Sequence, residues 1–156
     1  MLNSELINHF YTCFTKGDAE GMISCYDSNV VFKDPAFGEL KGTDAMNMWR
    51  MLIARSNGQL KIKFDDVKAD NKSGSANWIA EYVFSKTGRN VINKITAKFE
   101  FNNGKIIKHT DHFNIWKWSG QALGWGGYLL GWTPFMKAGI RKMANSNLAK
   151  FIKSSN

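Results

Sequence analysis

An α+β fold is predicted, with short helices from the first third of the chain packed against one face of a mostly antiparallel sheet. Three observations predict it. Apolar residues recur at helical spacing up to Arg55, interrupted by one β-branched run. From Leu60 the period changes to alternation, in four segments separated by turn-forming residues. The order itself, helices and then a meander, segregates the helices from the sheet.

Leu6, Phe10, Cys13 and Phe14 mark a first helix that an Asn3/Ser4 cap opens and Gly17 ends. Asp18 caps a second short helix, which carries Met22, Ile23 and Tyr26 inward and stops at Asp27-Ser28-Asn29. Val30-Val31-Phe32 forms a short strand. It is stopped at Asp34-Pro35, because proline restricts the residue before it and donates nothing to a ladder. Thr43 caps a third helix, in which Met46, Trp49, Leu52 and Ile53 make one stripe before the Asn57-Gly58 break. Strands are then predicted from Leu60 to Val67, Ser75 to Ser85, Asn90 to Phe101 and Lys105 to Trp118. The runs Asp70 to Gly74, Thr87-Gly88 and Asn102-Asn103-Gly104 serve as their hairpin turns. A helical tail over about 120–153 breaks at Thr133-Pro134 and resumes through Met136, Ile140, Met143, Leu148 and Phe151.

A chain of 156 residues buries a sizeable core without disulfides or metals, so one domain spanning 1–156 is expected. Six Trp and eleven Phe suffice to line a cavity as well as to fill a core. The start Met1-Leu2-Asn3-Ser4-Glu5 lacks the basic and apolar blocks of a secretory signal. Cys13 and Cys25 alternate with core residues and read as reduced fillers, so a cytoplasmic location is expected. The net charge of +8 raises nucleic acid as a partner. However, Lys61, Lys63, Lys94, Lys98, Lys105 and Lys108 are spaced singly along strands, which describes a solvated surface and no nucleic-acid partner.

The stretch Gly17-Asp18-Ala19-Glu20, then Tyr26, Val30-Val31-Phe32-Lys33-Asp34-Pro35 and Gly42, resembles the N-terminal signature of the nuclear-transport-factor-2-like superfamily, in its SnoaL-like and ketosteroid-isomerase-like branch. Asp111-His112-Phe113 with Trp116 and Trp118 resembles the final strand of SnoaL-like members. The resemblance covers about residues 5–118 and leaves the tail outside the common core. It implies a cystatin-like cone, a strongly curved sheet closing around an apolar pocket. It identifies a fold well and a reaction poorly, because such folds host many chemistries.

By that resemblance the pocket face of the last strand carries Ile107, His109, Asp111, Phe113 and Ile115, with Trp78, Ala80, Tyr82 and Phe84 and then Asn93, Ile95, Ala97 and Phe99 on its neighbours. Phe10 and Trp49 add to the wall, and Asp34, His109 and Asp111 are the ionisable groups. Such a cavity suits a small apolar molecule bearing a carbonyl or hydroxyl. Asp34 stands where ketosteroid isomerases carry a general base, but Phe10 and Ala97 replace the tyrosine and protonated aspartate of their oxyanion hole. Steroid isomerisation is therefore not expected. Asp111 resembles the acid/base residue of SnoaL-like cyclases, with His109 two residues away to tune it. Two plainer roles stay open: Asp111 anchoring a turn or pairing with a lysine, and Asp34 capping the loop after its strand. Asp34, His109 and Asp111 match no metal-ligand spacing, so neither metal nor cofactor is expected. His9 and His112 belong on outer surfaces. The arginines fall off the inner positions that an epoxide hydrolase of this superfamily would need.

Two readings follow: a cofactor-independent cyclase, isomerase or lyase working through Asp111, His109 and Asp34, or a non-catalytic binding module for an apolar ligand or lipid. Ile79, Val83 and Trp116 on the outer sheet face suit a homodimer with either. The tail segment from Gln121 to Trp132 is aromatic, glycine-rich and uncharged, too polar and glycine-broken for a spanning helix. Packing over the pocket mouth or at a dimer interface is its first reading. A lipid-facing lid, giving peripheral membrane contact through the basic helix that follows, is its second.

Overall fold

The computed structural model describes residues 1–130 and 133–155, with the backbone alone for 128–130; Gly131 and Trp132 of the glycine-rich tail lie outside the described residues. The architecture is α+β, a curved and unclosed six-stranded sheet holding helices on its inner face. Helix α1 (Asn3–Thr15) buries Leu6, Ile7, Phe10, Tyr11, Cys13 and Phe14 along one stripe. Its first turn is closed not by Asn3 or Ser4 but by Glu5, whose carboxylate accepts from the Leu2 backbone N–H at 2.8 Å. Gly17 ends it with a φ of +70°. Asp18 caps α2 (Ala19–Ile23) through the Gly21 N–H, as expected.

Tyr26 does not belong to α2. It opens β1 (Tyr26–Asp34), which returns through a turn into a strand the sequence pattern concealed, β2 (Gly38–Lys41). At four residues β2 is too short to show a period. Helix α3 (Thr43–Ser56) has Gly42, not Thr43, at its cap position and buries Ala45, Met48, Trp49 and Met51. The meander is β3 (Lys61–Ala69), β4 (Ser73–Phe84), β5 (Arg89–Asn102) and β6 (Lys105–His112). Sheet order is β2-β1-β6-β5-β4-β3, with β1 parallel to β6 and the other neighbours antiparallel.

The last strand is shorter than its alternating sequence suggests. After His112 the Asn114 side chain accepts from the Lys117 N–H at 3.1 Å and starts α4 (Ile115–Leu123). Trp116, expected on the outer sheet face, therefore lies on a helix. Trp118 turns inward and donates its indole N–H to the Tyr82 hydroxyl at 2.7 Å. A register shift at Glu100/Phe101 also makes Ile106, not Ile107, the fully buried residue at the start of β6. Further along, His109 and Asp111 keep the inward parity expected of them.

Because β6 stops early, it pairs with only the Thr96–Asn102 part of β5. Helix α4 covers the rest. Gln121 Oε1 accepts from the Ile92 N–H at 2.7 Å, and Arg89 Nε donates to the Gln121 carbonyl at 2.9 Å. An open strand edge is thereby closed by the tail. Helix α5 (Trp125–Leu130) follows, then α6 (Pro134–Ser154), whose Thr133 cap accepts from the Met136 N–H at 3.2 Å. Ile140 of α6 joins Val91, Trp118 and Ala122 in an apolar cluster, and Tyr82, Phe113 and Ala36 link this cluster to the main core. No helix among the described residues is long and apolar enough to cross a membrane.

The tail is thus part of the fold. Ile140 is 2% exposed, so Ile140→Ala is expected to lower stability by about 2–5 kcal/mol in urea titration.

Candidate active site

His109 is 0% exposed and sits in a cage of rings. The Trp49 indole stacks on it at 5.9 Å, and Phe99, Phe32 and Phe10 surround it at 4.5, 5.1 and 5.5 Å between centroids. Both ring nitrogens are engaged. Nδ1 lies 2.7 Å from the Tyr26 hydroxyl, and Nε2 lies 2.8 Å from Asp111 Oδ1. The Trp49 indole N–H donates to the Tyr26 oxygen at 2.8 Å, and the Trp78 indole N–H donates to Asp111 Oδ1 at 3.3 Å.

The directions of these bonds follow from the donor inventory. An ionised carboxylate only accepts, so the neutral imidazole carries its proton on Nε2 and donates it to Asp111. The bare Nδ1 then accepts from the Tyr26 hydroxyl, whose oxygen accepts from Trp49. The result is a buried chain, Trp49 to Tyr26 to His109 to Asp111, closed from the far side by Trp78. One carboxylate oxygen of Asp111 takes both donors, which leaves Oδ2 as the oxygen that can meet a ligand. Asp111 is 3% exposed.

Asp34 ends β1, whose parallel register with β6 brings it to the level of Asp111. Its Oδ1 accepts from the Phe37 N–H at 2.6 Å, so it does cap the turn, as the plainer reading held. Capping is not its whole situation. Burial above all, with the Asp111 charge adding to it, pushes its carboxyl up to about 7, although the Phe37 N–H and the Arg141 guanidinium pull the other way. The two carboxylates thus lie at one level of the sheet in different surroundings, Asp111 buried and Asp34 half-buried. Tyr82, whose hydroxyl also feels Asp34, stands beside them and is held by Trp118.

Three participants were not singled out from the sequence. Tyr26 reads there as a helix-face core residue, and only the β1–β6 pairing shows it reaching His109. Tyr11 has the one buried side-chain polar atom without a hydrogen-bond partner among the described residues. Burial and the nearby Asp111 charge hold its hydroxyl well above the usual tyrosine range, so it remains a proton donor. Arg141 comes from the tail, its guanidinium lying over Gly38 in the turn after Asp34. Tyr26 falls within the stretch that carries the family resemblance but with no role attached to it, and Tyr11 and Arg141 carry no local motif.

Of the expected wall, Phe10, Trp49, Trp78 and Phe99 are buried around His109 and Asp111, while Tyr82 and Phe113 stand part-buried towards the tail. Asn93 also points inward at 9% exposed. His9 and His112 are both exposed. Among the described residues no group of three His, Cys, Asp or Glu has metal-binding placement, and His109 has no nitrogen to spare. A hollow of about 560 Å³ lies outside the cone, lined by Lys98, Lys108, Thr110 and His112 among others, and contains neither carboxylate.

The model of the SnoaL-like domain matches residues 7–109, from α1 to the caged histidine. The chain belongs to the SnoaL-like domain family. No curated protein sequence matches it. Solved structures do. A candidate polyketide cyclase from Pseudomonas putida superposes with a TM-score of 0.63 at 19% identity, covering 78% of this chain and 98% of that one. A candidate isomerase from Bacillus subtilis gives 0.59 at 17%, covering 77% and 91%. TerC, crystallised with polyporic acid, gives 0.60 at 16%, covering 70% and 89%. At these identities the likeness establishes the fold.

The SnoaL-like site has a pH signature of defined sign. With its carboxyl raised from 3.8 to about 7, folded Asp34 holds a proton that the unfolded chain releases. Stability falls as pH rises through that window, by on the order of 4 kcal/mol, and is flat above it. Asp34→Asn is expected to remove this loss in urea midpoints taken from about pH 4 to about pH 8. Asp111→Asn removes a like charge, so the Asp34 titration followed by carboxyl ¹³C NMR is expected to move down.

Proposed function

We propose that this SnoaL-like domain moves a proton on a small, largely apolar compound bearing a carbonyl or hydroxyl, as a cofactor-independent cyclase, isomerase or lyase. The observation that carries the reading is the pairing of a clamped Asp111 with an Asp34 that titrates near neutrality. A carboxyl that exchanges its proton near neutrality, close to a second carboxylate fixed by hydrogen bonds, is what acid/base chemistry near pH 7 requires.

Asp111 Oδ2 takes a proton from the carbon beside a carbonyl, and the electron pair moves into the carbonyl oxygen. Asp34, protonated for part of the time at neutral pH, returns a proton to the developing product. His109 is a positioning residue, because both its nitrogens are spent on Tyr26 and Asp111. The Tyr11 hydroxyl, buried and unpaired, is the donor available to a developing oxyanion, in place of the one missing at Phe10. The aromatic wall favours a ring-bearing substrate.

A second reading, a binding module without chemistry, has an observation of its own: Ala97 pairs with Asp111 in register and offers no proton there. Pairing of two copies through the outward Ile79 and Val83 is compatible with both readings and is read directly by sedimentation equilibrium. A cytoplasmic site of action suits the two buried free thiols.

The test is solvent-deuterium incorporation by ¹H NMR into enolisable aryl ketones in D₂O. Exchange is expected with wild type and about 10²- to 10⁴-fold slower with Asp111→Asn or Asp34→Asn. Saturable binding without exchange would assign the binding module.

A further inference from the structure

From Phe113 to the end of the chain there is no aspartate or glutamate. The same stretch carries Lys117, Lys137, Arg141, Lys142, Lys150 and Lys153, three-quarters of the net charge of +8. All six are exposed. A solvated surface helix ordinarily mixes signs, because like charges in neighbouring turns repel. This segment does not.

The placement on α6 is also one-sided. At 100° per residue, Ile140, Ala144 and Leu148 fall on one face, and Ile140 and Leu148 are buried against the protein. Phe135, Lys142, Lys150 and Lys153 fall on the opposite face. Phe135 is 86% exposed, and Trp125 at the start of α5 is 81% exposed. Two bulky aromatics are thus held in water on a segment whose charged side chains are all basic. Exposed aromatic rings on a segment with only basic charges match the boundary between headgroups and acyl chains.

We propose that the exposed face of α6, together with Trp125 at the start of α5, docks the protein on an anionic lipid surface. Trp125 and Phe135 enter the headgroup layer, and Lys142, Lys150 and Lys153 lie over lipid phosphates. The inference is independent of which reaction the interior performs. It adds a source of ligand, because the same tail covers the end of the cone at Tyr82, Phe84 and Val91. An apolar compound dissolved in the bilayer would then reach the interior beneath the tail without crossing water.

The experiment is co-sedimentation of the full chain with vesicles of phosphatidylcholine alone and of phosphatidylcholine mixed with phosphatidylglycerol, at low and high salt. Binding is expected only to the anionic vesicles, with a blue shift of Trp fluorescence and loss at high salt. The triple variant K142Q/K150Q/K153Q is expected to bind on the order of a hundredfold more weakly. Trp125→Ala with Phe135→Ala is expected to weaken binding about tenfold or more, with an unchanged far-ultraviolet circular dichroism spectrum. No binding at low salt, or equal binding by wild type and the triple variant, overturns the proposal. Self-association that depends on Trp125 and Phe135, without vesicle binding, assigns the face to a second copy and overturns it as well.

Discussion

Four elements meet at one buried hydrogen-bond chain. Trp49 comes from α3, Tyr26 from the start of β1, His109 and Asp111 from β6, and Trp78 from β4. Each link satisfies a polar atom that burial would otherwise leave costly, so loss of any member leaves its partners unpaired at about 1–3 kcal/mol apiece. The chain also explains a small residue. Trp78 and Asp111 belong to strands separated by β5, roughly 9–10 Å apart by strand spacing. The indole reaches the carboxylate because Ala97, the β5 residue paired with Asp111, carries only a methyl group. The position that resemblance associates with a protonated aspartate is here a gap that lets a tryptophan through.

Asp111 and Asp34 consequently have different surroundings. Asp111 receives two side-chain N–H donors on one oxygen. Asp34 has backbone help at one oxygen but is pressed by burial and by the Asp111 charge. The division of labour proposed for them rests on these surroundings, not on residue type. The tail bears on it too: Arg141 lies over the Asp34 turn, and the Asn145 side chain donates to the Phe37 carbonyl at 2.9 Å. A helix outside the family's common core thus shapes the electrostatics of a residue inside it.

Much of the fold was legible because its signals are local. Asp18 as a cap, Gly17 as a stop and the even alternation of β5 each need only a few neighbours to be read. Period supplied the alternation of β4 and β5 and the resemblance chose which set faces inward, and Trp78, Asn93 and Phe99 are buried accordingly. The failures lie where two local readings compete. The run Phe113-Asn114-Ile115-Trp116-Lys117-Trp118 alternates like a strand, and only the Asn114 cap decides for a helix. Tyr26 spaces like a helical residue after Met22 and Ile23 yet begins a strand. Within the site, His109 and Asp111 were legible as a pair two residues apart. Tyr26, Tyr11 and Arg141 were not, since their roles depend on the parallel β1–β6 register, on packing against α1 and on the fold-back of the tail.

The most direct test of this network is the tautomer of His109, measured by ¹⁵N NMR on histidine-labelled protein and assigned with His109→Gln as the control. The expected spectrum shows a protonated Nε2 coupled to its hydrogen and a bare Nδ1 accepting from Tyr26, with Nδ1 perturbed in Tyr26→Phe. A proton on Nδ1, or a ring that exchanges freely with solvent, would mean that Tyr26 does not orient the imidazole and that Asp111 is not held as described.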